Sequence, residues 1–181
     1  MQLIYRQFPA LFALLGLLLA GASTTSAQGI YLEDDGTADG PQIEELSVLD
    51  LRYMDDQRTQ LQELAATRLG RRFNGERDND LGILQLMLDR GVVGNQQTTE
   101  LQAMGIVMGD LLASELDMQW VVYTDEIGRS RALRYRGSDD VVFPVTMISR
   151  RREVGNEDLV IAIYAQARDK AMAQRPSRPF Q

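Results

Sequence analysis

The stretch TELQAMGIVMGDLLASELDMQWVVYT, residues 99–124, decides the fold, because the spacing of its apolar residues changes once inside it. Leu101, Met104, Met108, Leu111, Leu112 and Leu116 recur at three- and four-residue intervals, which gathers them on one face of a helix over residues 99–116. From Met118 the period falls to two, and Trp120-Val121-Val122-Tyr123-Thr124 has the β-branched and aromatic content of a strand. A helix handing over to a strand within one packed unit predicts an α+β class. Gly105 and Gly109 lie one helical turn apart. Each costs about 1 kcal/mol of helix propensity relative to Ala, so the pair predicts another element lying close against that backbone. The partner is either the rest of the domain or a second copy of the chain in a homodimer. Asp110, Glu115 and Asp117 mark the helix as one built for water rather than lipid.

Toward the C-terminus, Asp125-Glu126-Ile127-Gly128 reads as a turn, and residues 130–136 and 140–143 follow as two more strands divided by Gly137-Ser138-Asp139. Together with residues 118–124 they predict a three-stranded antiparallel meander. Arg129, Arg131, Arg134 and Arg136 look clustered in sequence. Alternation sends Arg131 to the face of Leu133 and Tyr135 and sends Arg134 and Arg136 to the other, so the four do not form one patch. Pro144 suits the first turn of a helix over residues 145–153 that ends at Gly155. Arg150-Arg151-Arg152 then occupies its last turn, where cations complement the helix dipole. Asn156 is placed to cap a final helix running through Leu159, Ile163 and Ala167.

Toward the N-terminus, a short helix is expected over residues 81–89, capped by Asp78 or Asp80 and closed by Gly91. A longer one opens at Ser47, with Asp50 three residues on as a capping-box-like partner. It carries Leu51, Met54, Leu61, Leu64, Ala65 and Leu69 at helical spacing until Gly70. Arg58 interrupts that stripe and is expected to snorkel at its edge rather than enter a buried ion pair. Residues 28–46 are acidic and Gly-rich, the composition of a flexible linker, and residues 176–181, with Pro176 and Pro179, read as a disordered tail. Residues 47–175 therefore form a single α+β domain: helices, then a three-stranded antiparallel meander, then two C-terminal helices.

Residues 1–27 have the form of a secretory signal peptide, with Arg6, an apolar run over residues 8–20 and the small exit Thr25-Ser26-Ala27. The strongly apolar part, residues 10–20, falls short of the about 20 residues a spanning helix needs. With Ala22 where a lipoprotein needs Cys, no acyl anchor can form. Cleavage after Ala27 is expected, giving a periplasmic or secreted protein that is not held at a membrane.

The chain has neither Cys nor His and a formal net charge of −7. Without thiols it has no disulfide and no thiolate nucleophile, and without imidazole it lacks the usual general base and the commonest zinc ligand. The acidic balance argues against nucleic acid. Asn74, Glu76, Asp78 and Asp80 mimic the alternate oxygens of a calcium loop, but Asn79 stands where the turn needs Gly and Gln85 where a bidentate Glu should close the site. A Ser–Lys enzyme would depend on Lys170, the only lysine, which sits in a solvated last helix. No catalytic, cofactor-binding or metal-ligating residue is assigned, and no cofactor is expected.

The segment Leu101-Gln102-Ala103-Met104-Gly105-Ile106-Val107-Met108-Gly109-Asp110, the strand residue Trp120, Phe143-Pro144 and Arg150-Arg151 together resemble the bacterial domain of unknown function 3806 over about residues 81–165. The shared marks are a Gly-x-x-x-Gly-acid segment, a strand Trp and a Pro followed by basic residues. The resemblance implies one domain and brings no assigned activity. The expected function is a non-catalytic exported binding or envelope-accessory module, meeting a protein partner or a second copy through the Gly105/Gly109 face or a strand edge. The alternative is a carboxylate-based hydrolase of cell-wall glycan, with Asp110 and Glu115 as the acids to test. They lie about 140° apart around a helix, and ordinary solvated acids account for both.

Overall fold

Ser47 opens the first long helix as its capping pattern predicts. Its hydroxyl accepts from the Asp50 amide at 3.2 Å while the Asp50 carboxylate accepts from the Ser47 amide at 3.1 Å. Reciprocal bonds of this kind satisfy donors that a helix start leaves unpaired. In the computed structural model, which describes residues 40–176, this helix, α1, spans Val48–Leu69. It stops at Gly70, whose φ of 64° lies in the left-handed region that glycine enters without strain. The buried side of α1 carries Asp50, Met54, Gln57, Leu61 and Ala65. Leu51, expected in the stripe, is 49% exposed. Two polar residues at buried positions, Asp50 and Gln57, rotated the apparent apolar face away from the true one.

The second helix, α2, spans Arg77–Asp89 and starts four residues earlier than expected. Neither Asp78 nor Asp80 is its cap, since Glu76 holds that position and makes no side-chain cap bond. The third, α3, spans Thr98–Leu116 and is the centre of the molecule, packing against α1, α2 and the two C-terminal helices. Its predicted apolar face, from Leu101 and Met104 to Leu112 and Leu116, is buried throughout. Arg150-Arg151-Arg152 lie in α4, Met147–Glu153, which a 3-10 turn over Pro144–Thr146 precedes. The last helix, α5, spans Val160–Ala173. Asn156 is too far upstream to cap it and instead accepts from the Asp158 amide. The first amide of α5 is met by Gln85 of α2, whose Oε1 lies 2.8 Å from Val160 N.

The α+β class and the three-stranded antiparallel sheet stand, but one strand comes from elsewhere in the chain. The sheet order is β1, Gln42–Glu45; β2, Gln119–Asp125; β3, Gly128–Arg134. Ile43 faces Tyr123 across the first pair, and Val122 faces Arg131 across the second. The four-residue β1 lies in the segment expected to be linker. Only Ile43 in it is partly buried, so it offered too little alternation to be read. Residues 140–143 make a single bridge, Leu133 with Val142, instead of a full strand. Pro144 has no N–H to give a ladder, and the chain leaves the sheet there to lie across α3.

That crossing accounts for the two glycines. A Cβ on Gly105 would sit 2.6 Å from the Pro144 carbonyl oxygen and closer still to that of Val145; one on Gly109 would sit 2.6 Å from Trp120 Cη2. The Gly105/Gly109 face is therefore filled by the chain's own 3-10 turn and strand Trp, and it offers no seam to a second copy. Gly82 is the contrast. It lies inside α2, is exposed, and a Cβ there meets nothing within 4 Å. Gly82→Ala is expected to stabilise the protein by about 0.5–1 kcal/mol in urea unfolding, because helix propensity is the only quantity it changes; unchanged or lower stability would contradict that reading.

The described residues all fall within one compact unit. Among them no helix is long and apolar enough to cross a membrane. The expected signal peptide, residues 1–27, lies outside the described residues, as do the linker before Gly40 and the tail from 177.

Candidate functional site

Strand alternation puts Arg129 and Arg131 of β3 on one face, and α1 delivers a carboxylate to meet them. Arg129 holds Asp50 with both terminal nitrogens, at 2.8 and 2.6 Å, and Arg131 Nη2 lies 3.0 Å from the same carboxylate. The Asp50 side chain is only 3% exposed. Hydrogen bonding from Arg129 holds its carboxyl well below the usual carboxylate range; burial opposes that, and the Ser47 hydroxyl and amide reinforce it. One buried acid thus closes the helix start and ties α1 to the sheet. The sequence showed the first role and not the second, because a contact spanning 79 residues leaves no local pattern.

Around this anchor lies a cleft of about 380 Å³ at the outer edge of β3. Its walls include Tyr53 from α1, Tyr123 and Phe143, Arg129 and Arg131, and Arg150 from α4. The Arg131 guanidinium carbon lies over the Tyr53 ring, 4.1 Å from its centre, in a cation–π contact. Tyr123 and Phe143 meet edge to face with centres 5.2 Å apart. Asp125 also lines the cleft, and its carboxylate accepts from the amides of Ile127 and Gly128 in the β2–β3 turn.

A second anchor joins α1, α3 and the sheet. Arg58 holds Asp110 through Nε at 2.7 Å and Nη2 at 2.9 Å, and Trp120 Nε1 donates to the same carboxylate at 3.0 Å. The third nitrogen of Arg58 reaches Asp55 at 2.6 Å. Contrary to the expectation from its place in the stripe, Arg58 therefore does not snorkel. It is half-buried in a two-bond ion pair, the geometry that planar guanidinium favours with carboxylate. Gly109 lets the Trp120 ring lie against α3, and Asp110, the next residue, receives the indole N–H. A cleft of about 490 Å³ opens beside this pair, with Gln62, Phe73, Val107 and Leu111 among its walls.

Residues 80–164 match the model of a Domain of unknown function (DUF3806). The matched segment runs from the first turn of α2 into α5 and contains every residue that carries the resemblance. A crystal structure from Bacteroides thetaiotaomicron VPI-5482, at 1.50 Å resolution, is similar in fold, with 19% sequence identity and a TM-score of 0.66 over 75% of this chain. This chain spans half the length of that one. No curated protein matches it. Each anchor crosses the edge of the DUF3806 segment: Arg129, Arg131 and Asp110 lie within it, whereas Asp50, Tyr53 and Arg58 lie on α1, outside it.

The two acids singled out for hydrolysis are not free. Glu115 receives Tyr164 Oη at 2.7 Å and Arg168 Nε at 2.5 Å, and the phenol bond, followed by Arg168, lowers its carboxyl below the ordinary range. Asp110 sits in its own half-exposed ion pair, while Glu115 stays exposed as expected and is ion-paired at the surface. Asp80, from the calcium-like run, is buried and accepts from the amides of Asn74 and Gly75 and from Asn79 Nδ2. It closes the loop before α2. Among the described residues no group of three carboxylates lies close enough to hold a metal ion. Lys170 is exposed on α5. The three consecutive arginines part company: Arg151 bonds the Met147 carbonyl and Gln166, Arg152 is buried, and Arg150 is exposed at the cleft.

Proposed function

We propose that this chain is an exported, non-catalytic binding module of the cell envelope, working through the cleft at the β3 edge. The supporting observation is that Asp110 and Glu115, the two acids proposed for a glycan hydrolase, are each already paired with an arginine. Hydrolysis of a glycosidic bond needs one carboxyl kept protonated and a second ionised across a shared cleft. Glu115 is shifted in the direction opposite to a proton donor, and Asp110 is closed in by Arg58 and Trp120. The β3-edge cleft has the opposite character, with aromatic walls and guanidinium groups and a volume suited to a small ligand.

Export rests on the pattern of residues 1–27. The test joins both parts of the reading. Protein recovered from the envelope of an expressing bacterium is expected to begin at Gln28 by mass spectrometry and to release no soluble fragment from peptidoglycan. An intact N-terminus on membrane-bound protein would contradict export. Fragment release that is lost in Asp110→Asn or Glu115→Gln would establish the hydrolase instead.

A further inference from the structure

We propose that the β3-edge cleft is a binding site for an oxyanion, carboxylate or phosphate, carried on a flat ring, with Arg131 and Arg150 receiving the anion and Tyr123 and Phe143 receiving the ring. This inference rests on the reading of the chain as a binding module.

The cations in the cleft wall are unequally satisfied. Arg129 spends both terminal nitrogens on Asp50. Arg131 gives that carboxylate only Nη2, and its Nε is buried without a hydrogen-bond partner. The contacts with Tyr53 and Asp50 hold the Arg131 guanidinium in place before any ligand arrives, so little side-chain freedom is lost on binding. Arg150 reaches the same cleft from α4, is exposed, and takes part in none of the ion pairs among the described residues. The acid in the wall, Asp125, is engaged by two amides of its own turn.

The ring follows from the other wall. Tyr123 and Phe143 are half-buried, meet edge to face, and line the same cleft as the guanidinium groups. Flat aromatic surface beside charge-assisted donors suits a ligand that is apolar at one end and anionic at the other. The Asp110 cleft does not have this character, because its guanidinium is already taken by a carboxylate on two nitrogens.

Isothermal titration of the purified protein with five probes tests the proposal. Benzoate and phenyl phosphate carry both parts, acetate and inorganic phosphate only the anion, and benzyl alcohol only the ring. Saturable binding of benzoate or phenyl phosphate is expected, at least about tenfold tighter than any single-part probe, and the stronger of the two identifies the headgroup. Arg150→Gln, a change at an exposed residue, should weaken that binding by about tenfold or more, as expected for one charge-assisted hydrogen bond, with an unchanged circular dichroism spectrum. Equal binding by Arg150→Gln and the parent, or binding by no ring-bearing anion, would overturn the site. Processing at Gln28 without peptidoglycan release would still support the binding-module reading in that event, so the two failures are distinguishable.

Discussion

Gly105→Ala is expected to destabilise the protein by about 3 kcal/mol or to prevent its folding, even though alanine is the better helix former. Propensity alone would favour the change by about 1 kcal/mol. The added methyl would lie 2.6 Å from the Pro144 carbonyl oxygen and closer to that of Val145. These are backbone atoms and have no rotamer to retreat into. Relief requires the 3-10 turn to lift off α3, and with it Ile148 and the rest of α4, which belong to the same core. Overpacking of this kind costs about 1–3 kcal/mol and sometimes more. Urea unfolding followed by circular dichroism measures the loss, with Gly82→Ala as the matched control in which the same substitution helps. A Gly105→Ala variant as stable as the parent would mean that α3 and the turn are not packed this closely.

Asp50→Ala should cost about 2–3 kcal/mol. The cap accounts for about 1 of these. The remainder is the loss of the counterion to Arg129 and Arg131, reduced from the cost of a fully buried pair because Arg129 is 47% exposed and water can take up part of its charge. Ser47→Ala removes the cap and leaves the ion pair, so it should cost only about 1 kcal/mol. The pH dependence carries a definite sign. The folded carboxyl is held below its ordinary range, so its ionisation favours the folded state, fully so above the unfolded value of about 3.9. As the pH falls below about 4 the unfolded chain takes up the proton first, and this contribution drains away until the folded group protonates as well. The parent should therefore lose stability more steeply than Asp50→Asn on acidification below about pH 4. Parallel acid profiles would show that Asp50 is not the tie between α1 and the sheet.

The helical core was legible because its residues repeat. The face of α3 from Leu101 to Leu116, the stop at Gly70 and the capping pair Ser47 and Asp50 each follow from spacing over a few residues. Contacts between distant parts of the chain were not legible. Asp50 and Arg129 are 79 positions apart and Arg58 and Asp110 are 52 apart, and each of the four also has an ordinary local explanation as a cap, an edge cation or a surface acid. The strand Gln42–Glu45 is too short to alternate visibly, and residues 140–143 carry β-branched and aromatic side chains but are drawn out of the sheet by Pro144. The two glycines signalled a close approach correctly, while the identity of what approaches them depends on a turn some forty residues later. In the cleft, Arg150 could be distinguished from Arg151 and Arg152 only once each guanidinium was seen with its own neighbours.

Carbon–proton NMR of the aromatic side chains during titration with benzoate tests the binding site most directly. Saturable shifts confined to Tyr53, Tyr123 and Phe143, and lost in Arg150→Gln, are the predicted result. Shifts centred on Phe73 beside the Asp110 cleft, or no saturable shift at all, would contradict it.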